Sequence, residues 1–220
     1  MEDEILQKER ELERELKKEE NQLQMLTPHI AIRGNDFYLL IKNILINKGK
    51  IKDHYADLLL DKDAMKIYEN AFTSNTITSY KKEDGDKIQI VEDENSKDNY
   101  DIYKIFGENM FENFMSWYIF KKFPSLKSAS DVKTIARIKI NHSPKIEFPI
   151  IAEELGFLPY ISSSLYEYNV NKQKLLQNTF SAFLGATAYI LDNKLKNGIG
   201  YDISYDILKN IFDKKEINLP

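Results

Sequence analysis

The residues of this sequence best suited to chemistry are the cations of one short segment, residues 121–145. The segment carries seven basic side chains and one acid, within a 220-residue chain whose formal net charge is −4. The seven are Lys121, Lys122, Lys127, Lys133, Arg137, Lys139 and Lys145. Positive charge concentrated in this way is what the phosphates of a nucleic acid bind. The alternative is a solvated helix face in a lysine-rich sequence.

The composition excludes several other kinds of site. The chain has no cysteine, which excludes disulfides, thiolate zinc sites and a cysteine nucleophile. Its histidines, His29, His54 and His142, are too scattered in sequence to form a zinc site. There is no glycine-rich phosphate loop. The longest mostly apolar stretch has about twelve residues, whereas a bilayer requires about twenty, so we expect no membrane partner.

The chain divides into two regions, and the first is a charged helix over residues 1–26. Its first 24 residues contain nine acids, five bases and no glycine or proline. Its apolar residues follow an incomplete heptad pattern, at Ile5, Leu12, Leu16, Leu23 and Leu26. This pattern predicts either a helix that leans on its own domain or a weak coiled coil with a second copy or another partner. Thr27-Pro28 should end the helix.

The second region, residues 27–220, is predicted to be an all-α domain of about nine helices. Helical periodicity and capping residues predict helices from Asn35 to Leu45, Ile51 to Leu60, Asp63 to Phe72, Asp101 to Phe123, Ser130 or Asp131 to Ile140, Ile150 to Leu155, Lys174 to Leu195, and Tyr201 to Phe212. A charged insertion interrupts the domain at about 81–100, and a short alternating run at Lys87–Val91 indicates a hairpin there.

Four stretches in a fixed order resemble the ribonuclease III endonuclease domain. They are Ala71-Phe72-Thr73, Asp101-Ile-Tyr-Lys-Ile-Phe-Gly107-Glu108, Val132 to Arg137 followed by Ala152-Glu-Glu-Leu-Gly156, and Leu175 to Ala186. The segments Ile32-Arg-Gly-Asn-Asp-Phe and Gly198-Ile-Gly-Tyr are most similar to the ribonuclease III-like proteins of large nucleocytoplasmic DNA viruses. The resemblance covers about residues 30–213.

This resemblance implies a definite activity. Such domains dimerise into a valley that holds an A-form RNA duplex, and each protomer contributes four carboxylates that bind Mg²⁺. Hard divalent cations prefer oxygen ligands. The bound metal lowers the pKa of a water molecule and neutralises charge that develops on the phosphodiester.

The family's catalytic positions are largely substituted here. They are occupied by Asp101, Lys104, Glu108, Asn178 and Ser181. Two carboxylates have become neutral, and a lysine lies beside those that remain. We therefore expect no intact catalytic set, and only Asp101 and Glu108 are weak metal candidates. No cofactor is expected, and Mg²⁺ or Mn²⁺ would be needed only if nuclease activity persists.

Two surfaces follow from the same resemblance. The RNA-binding candidates are Lys133, Arg137, Lys139 and Lys145, and their partner would be double-stranded or structured RNA. The dimer-interface candidates are Ile105, Phe106 and Met110, in a homodimer or in a heterodimer with another ribonuclease III-fold protein. Apolar helix stripes also pack commonly within one protomer, which is the alternative for these three residues.

The sequence leaves three functions open. The first is a catalytically inactive ribonuclease III-fold protein that binds structured RNA, dimerises or serves in an assembly. The second is an active double-stranded-RNA endonuclease with a rearranged site that uses Asp101, Glu108 and Glu112. The third is a structural subunit that does not bind RNA and assembles through residues 1–26. We expect an intracellular protein, in the cytoplasm, or in a viral factory or virion if the chain is viral.

Overall fold

The computed structural model of the chain describes residues 2–77, 79–83, 87–91 and 97–214. The side chains of residues 2–6, 9, 25–26, 79–83, 87–91 and 97–98 lie outside this description. The α-helices are α1 (Glu2–Leu26), α2 (Asn35–Lys42), α3 (Asp53–Leu59), α4 (Lys62–Ala71), α5 (Lys97–Lys122), α6 (Val132–Asn141), α7 (Pro144–Glu154), α8 (Leu165–Asn169), α9 (Lys172–Lys194) and α10 (Ile199–Phe212). The predicted all-α fold is confirmed.

Four short strands accompany the helices. They are β1 (Pro28–His29), β2 (Ser79–Glu83), β3 (Lys87–Val91) and β4 (Ser163–Ser164). β1 pairs antiparallel with β4, and β2 pairs antiparallel with β3. The predicted hairpin is therefore present. The run at Lys87–Val91 is its second strand, and the first strand, β2, ends four residues before β3 begins. Two predictions stay untested. One is that the chain divides at residue 26, and the other is that residues 81–100 are an insertion.

Helix α1 ends where the sequence predicts. The Thr27 hydroxyl donates to the Leu23 carbonyl at 2.8 Å, and Pro28 then starts β1. The helix contacts α8 and β4. Leu12, Leu16 and Leu23 are 62%, 59% and 67% exposed, so the domain does not cover the middle of the heptad stripe. The side chains of its end members, Ile5 and Leu26, are outside the described residues.

Helix α9 is the centre of the core. It contacts α3, α4, α5, α7, α8 and α10. Between Leu175 and Leu191 only Asn178 and Tyr189 are not buried. A helix that is covered on all sides must be apolar or small all round. This explains why α9 combines large apolar side chains with alanine, glycine, serine and threonine.

Helices α5 and α9 cross at unusually short range through two glycines. A Cβ added to Gly107 would lie 1.8 Å from the carbonyl oxygen of Ser181, and one added to Gly185 would lie 1.9 Å from that of Tyr103. No side chain fits at either position. The glycines therefore hold the two backbones together and fix which residues of each helix meet.

Several helix starts differ from the sequence prediction. The α4 cap is Asp61 rather than Asp63, because the Asp61 carboxylate accepts from the amides of residues 63 and 64. Helix α2 follows Gly34 without any side-chain cap, so the predicted Asn35 cap is wrong. Helix α5 begins at Lys97, before Asp101. Ser128 forms the capping box of the turn that leads into α6.

Arg33 ties together three segments that are distant in sequence. Its guanidinium donates to the carbonyls of Tyr160 at 2.9 Å, Glu69 at 2.8 Å and Phe72 at 2.5 Å, and to the Thr73 hydroxyl at 2.8 Å. Burial lowers the pKa of Arg33 to about 10, and the nearby charge of Glu69 opposes this shift. The group stays charged at neutral pH and fixes the segment before α2 against the ends of α4 and the 158–160 turn.

None of the helices in the described part of the chain is long and apolar enough to cross a membrane.

Candidate functional site

Asp101 and Lys104 form an ion pair on the first turns of α5. The Lys104 ammonium lies 2.6 Å from Asp101 Oδ1, and Asn75 donates its side-chain amide to Asp101 Oδ2 at 2.6 Å. Residues three apart on a helix share a face, which explains the pair. Both oxygens of this carboxylate are thus already bound by nitrogen donors of the protein.

Glu108 and Glu112 continue the same side of α5. Glu108 is half-buried. Glu112 forms an ion pair with Lys139 of α6 at 3.1 Å, and Lys139 also donates to the Ser116 hydroxyl at 3.2 Å. A rearranged active site built from Asp101, Glu108 and Glu112 would therefore have two of its three carboxylates paired with lysines.

The α9 side of the crossing contributes no charge. Ser181 is fully buried, and its hydroxyl donates to the Gln177 carbonyl at 2.9 Å. Asn178 is half-buried, and its Oδ1 atom is buried without a hydrogen-bond donor. A buried acceptor without a partner is uncommon, because it loses hydration without compensation.

A buried hydroxyl and a further carboxylate lie close to these residues. Burial raises the pKa of Tyr100 well above its ordinary value, and the charges of Glu167, Asp101 and Glu108 raise it further, while Thr179 lowers it. The Tyr100 hydroxyl has no hydrogen-bond partner with good geometry. Two hydroxyls hold the Glu167 carboxylate, that of Ser74 at 2.8 Å and that of Thr76 at 2.6 Å.

The cations of α6 and of the first turn of α7 are mostly free. Lys133, Arg137 and Lys145 are exposed, and none of them forms an ion pair within the described part of the chain. Lys139 differs, because it is bound to Glu112. His142 lies beside this group and is paired with the buried Glu147 at 2.6 Å.

The apolar face of α5 is partly uncovered. Ile105 and Phe106 are 52% and 45% exposed, whereas Met110 is 8% exposed and packs within the protomer. Phe106 and Met110 line a groove of about 540 Å³ whose other wall includes Tyr189 and Tyr201. The exposed pair and the groove lie side by side. Their role in a dimer stays a prediction.

Two viral proteins are similar to this chain. One, from Invertebrate iridescent virus 6, is 27% identical over 215 residues, which are 91% of this chain and 67% of that protein. The other, from Frog virus 3 (isolate Goorha), is 39% identical over 127 residues, which are 57% of this chain and 34% of that protein. Both carry the name "Putative ribonuclease 3". The chain is therefore similar to two viral proteins that are named as ribonuclease 3.

No family model and no solved structure matches this chain. The chain spans 67% and 34% of the lengths of the two viral relatives.

A catalytic centre of the ribonuclease III type would require divalent metal. Mg²⁺ prefers a near-octahedral shell of oxygens, supplied partly by carboxylates. Within residues 2–77, 79–83, 87–91 and 97–214, no three metal-ligating side chains come together. The Lys104 ammonium lies against Asp101, and Asn178 and Ser181 bring no charge. These side chains do not fit a two-metal centre.

The sequence did not reveal the polar residues that hold this site in place. Asn75 donates to Asp101, which is 26 residues later in the sequence. The Glu167 carboxylate accepts from the Ser74 hydroxyl in the turn after α4. The Thr-Ser-Asn-Thr run at 73–76 was a usable signal, because such side chains commonly hydrogen-bond at turns. Nothing local in the sequence indicates which carboxylate that turn would meet.

Proposed function

We propose that this ribonuclease III-like protein binds structured or double-stranded RNA without cleaving it, and that it does so as a dimer. The observation that carries the proposal is the ion pair between Lys104 and Asp101 at the crossing of α5 and α9. It lies where the related catalytic domains are expected to concentrate carboxylates.

The charge of the site argues against phosphodiester chemistry. Among the five family positions, Asp101 and Lys104 cancel, Asn178 and Ser181 are neutral, and only the charge of Glu108 remains. One formal negative charge does not hold two divalent cations beside a polyanionic RNA. Without metal, the site has no group that lowers the pKa of the attacking water.

The RNA-binding half of the proposal is supported by the position of α6. Lys139 attaches this helix to Glu112 and Ser116, which lie one and two turns past Glu108 on α5. The free cations Lys133 and Arg137 are four residues apart on α6, so they share one exposed face of that helix. Duplex RNA is recognised largely through phosphates and shape, which suits such a surface.

The dimer is supported by the exposed pair Ile105 and Phe106 beside the 540 Å³ groove. In a two-fold arrangement, each protomer presents the same patch to its partner. Under such symmetry, the exposed apolar side chains of each protomer can lie in the apolar groove of the other. Met110 would then support the interface from below rather than contact the partner.

The first test measures cleavage and binding together. We expect a labelled RNA duplex to be retarded but intact in Mg²⁺, in Mn²⁺ and in EDTA. Replacing both Lys133 and Arg137 by Glu should weaken binding at least tenfold and reduce the salt dependence, because phosphate contacts release counterions. The double variant Lys62→Glu with Lys66→Glu, which makes the same charge change at two exposed sites on α4, is the control. Metal-dependent fragments would contradict the proposal.

The dimer has its own measurement. Phe106→Asp should shift the sedimentation coefficient from that of a dimer to that of a monomer, because a charge is placed at the centre of the apolar patch. If wild-type protein is already monomeric at micromolar concentration, this part of the proposal fails.

A second candidate function is assembly through α1, and the exposed leucine stripe favours it. Leu12, Leu16 and Leu23 are all more than half exposed. If this stripe binds a partner helix, replacing Leu12 and Leu16 by Asp should reduce the size of the oligomer while RNA retardation is unchanged. An unchanged oligomer would exclude this role.

A further inference from the structure

We propose that the Lys104 ammonium takes the place of a divalent cation at the crossing of α5 and α9. The protein would then hold its remaining carboxylates without metal, and replacing Lys104 by Glu would create a Mg²⁺ site. The inference deepens the proposed function, because it treats this crossing as the counterpart of a metal-dependent centre.

The first observation is that both oxygens of one carboxylate already accept from nitrogen donors of the protein. Asp101 Oδ1 receives the Lys104 ammonium and Asp101 Oδ2 receives the Asn75 amide, both at 2.6 Å. A metal ligand must present a free lone pair to the ion. Here nitrogen donors of the protein have taken the positions that a cation and its water shell would use. Lysine suits this role because its ammonium is a compact, strongly hydrated point charge.

The second observation is the position of Lys104 between the two remaining acids. It follows Asp101 by three residues and precedes Glu108 by four, and these are the spacings that align side chains on one helix face. Lys104 is half-buried rather than extended into solvent. A carboxylate at position 104 would complete a row of three acids on this face.

The third observation comes from α9. The Asn178 Oδ1 atom is buried and has no donor, one turn before the residue that contacts Gly107. A neutral amide oxygen is an acceptable ligand for a hard cation. The wild-type protein thus has an unused oxygen on α9, near the point where this helix crosses α5.

Charge decides the direction of the effect. With Lys104 present, the five positions 101, 104, 108, 178 and 181 sum to one negative charge, and Lys104→Glu makes this three. Three clustered carboxylates repel one another, and a divalent cation relieves that repulsion. Metal binding to the folded state alone then stabilises that state by mass action.

The experiment is thermal unfolding without RNA, in MgCl₂, in MnCl₂ and in NaCl of equal ionic strength. For wild-type protein we expect equal Tm values in all three salts. For Lys104→Glu we expect a lower Tm in NaCl and a saturable rise in MgCl₂. At a tenfold excess of metal over its Kd the rise should be about 3 to 6 °C. Broadening of the Mn²⁺ spin-resonance signal gives an independent readout of binding.

Lys66→Glu is the matched control. It places a carboxylate between the exposed Asp63 and Glu69 on α4, at spacings of three and three, and so makes an acidic row on an exposed helix face. We expect no specific response to Mg²⁺ from this variant. An equal response would mean that any acidic row suffices, and the inference would be overturned.

Two further outcomes decide the matter. A Mg²⁺-specific rise in the Tm of wild-type protein would show that Lys104 does not replace the metal. If Lys104→Glu does not fold, Lys104→Gln removes the cation more gently, and its failure to gain any Mg²⁺ response would equally overturn the inference. Because no RNA is present, none of these results depends on whether the protein binds RNA, so failure here is distinguishable from failure of the proposed function.

Discussion

Replacing Gly107 or Gly185 by Ala should destabilise the protein more than any other change of a single methyl group. Each glycine lies against a backbone carbonyl of the facing helix, at 1.8 Å and 1.9 Å from the position of a Cβ. Atoms of this kind are essentially never closer than 3.0 Å. The methyl of Gly107→Ala would therefore force α5 and α9 apart by about 1.2 Å, which is 3.0 less 1.8.

The magnitude follows from two opposing effects. Forcing an extra methyl into a packed interior costs about 1–3 kcal/mol, and the upper end applies here because the obstacle is backbone. Alanine gains about 1 kcal/mol over glycine from helix propensity. The net loss is then about 2 kcal/mol, or a fall in the Tm of about 4–8 °C for a domain of this size. The two substitutions should not be additive, because the first already separates the helices.

Thermal unfolding followed by circular dichroism measures this directly. Gly34→Ser is the control, because its Cβ meets nothing within 4 Å and serine is favoured before a helix. We expect no loss of Tm for that variant. A Gly107→Ala protein that unfolds within 2 °C of wild type would refute the close approach of α5 and α9.

Three further predictions concern single side chains. Arg33→Lys should lower the Tm by several degrees, because lysine cannot serve the three carbonyls that the guanidinium reaches. Tyr100→Phe should leave the Tm unchanged or raise it, because the hydroxyl it removes is buried without a partner. The hydrogen bond from Lys194 holds the pKa of Asp61 below its usual value, helped by the amide of Ala64. Asp61 therefore stabilises the fold above the usual pKa of about 4, and this contribution disappears as the pH falls through the lowered value. Asp61→Asn should be less stable than wild type at pH 7, and unfolding curves recorded at decreasing pH should converge below pH 4.

The helices could be predicted from sequence because their apolar faces repeat every three to four residues. Phe37, Ile41 and Ile44 are buried as that pattern requires. The exact first residues of the helices could not be predicted, because Asp61 and Asp63 are equally good caps two residues apart.

Helix α7 was difficult to predict for a different reason. Pro149 lies inside it, so the sequence prediction began that helix six residues late, after the proline.

In the candidate site too, contacts between residues close in sequence could be predicted, whereas contacts between distant segments could not. The pairing of Lys104 with Asp101 lies within one helical turn and follows from spacing alone. The Lys139–Glu112 pair joins α6 to α5, and Asn75 reaches Asp101 from a turn 26 residues away. Such contacts depend on how the helices pack, which no local pattern contains. The Met110 prediction shows this as well, because the periodicity of α5 does not reveal which apolar residues α9 and α10 will cover.

The burial of Ser181 has a consequence for how this protein can change over generations. Its side chain is fully enclosed, its hydroxyl is committed to the preceding turn, and its backbone touches the Gly107 position of α5. A glutamate here would place a carboxylate, with a net gain of three heavy atoms, in a fully enclosed space beside the backbone of α5, at a cost of several kcal/mol. Natural stability is commonly about 5–15 kcal/mol, so one such step would use much of it. Position 104 is half-buried and can accept a carboxylate by one substitution, whereas position 181 can do so only after its surroundings have opened.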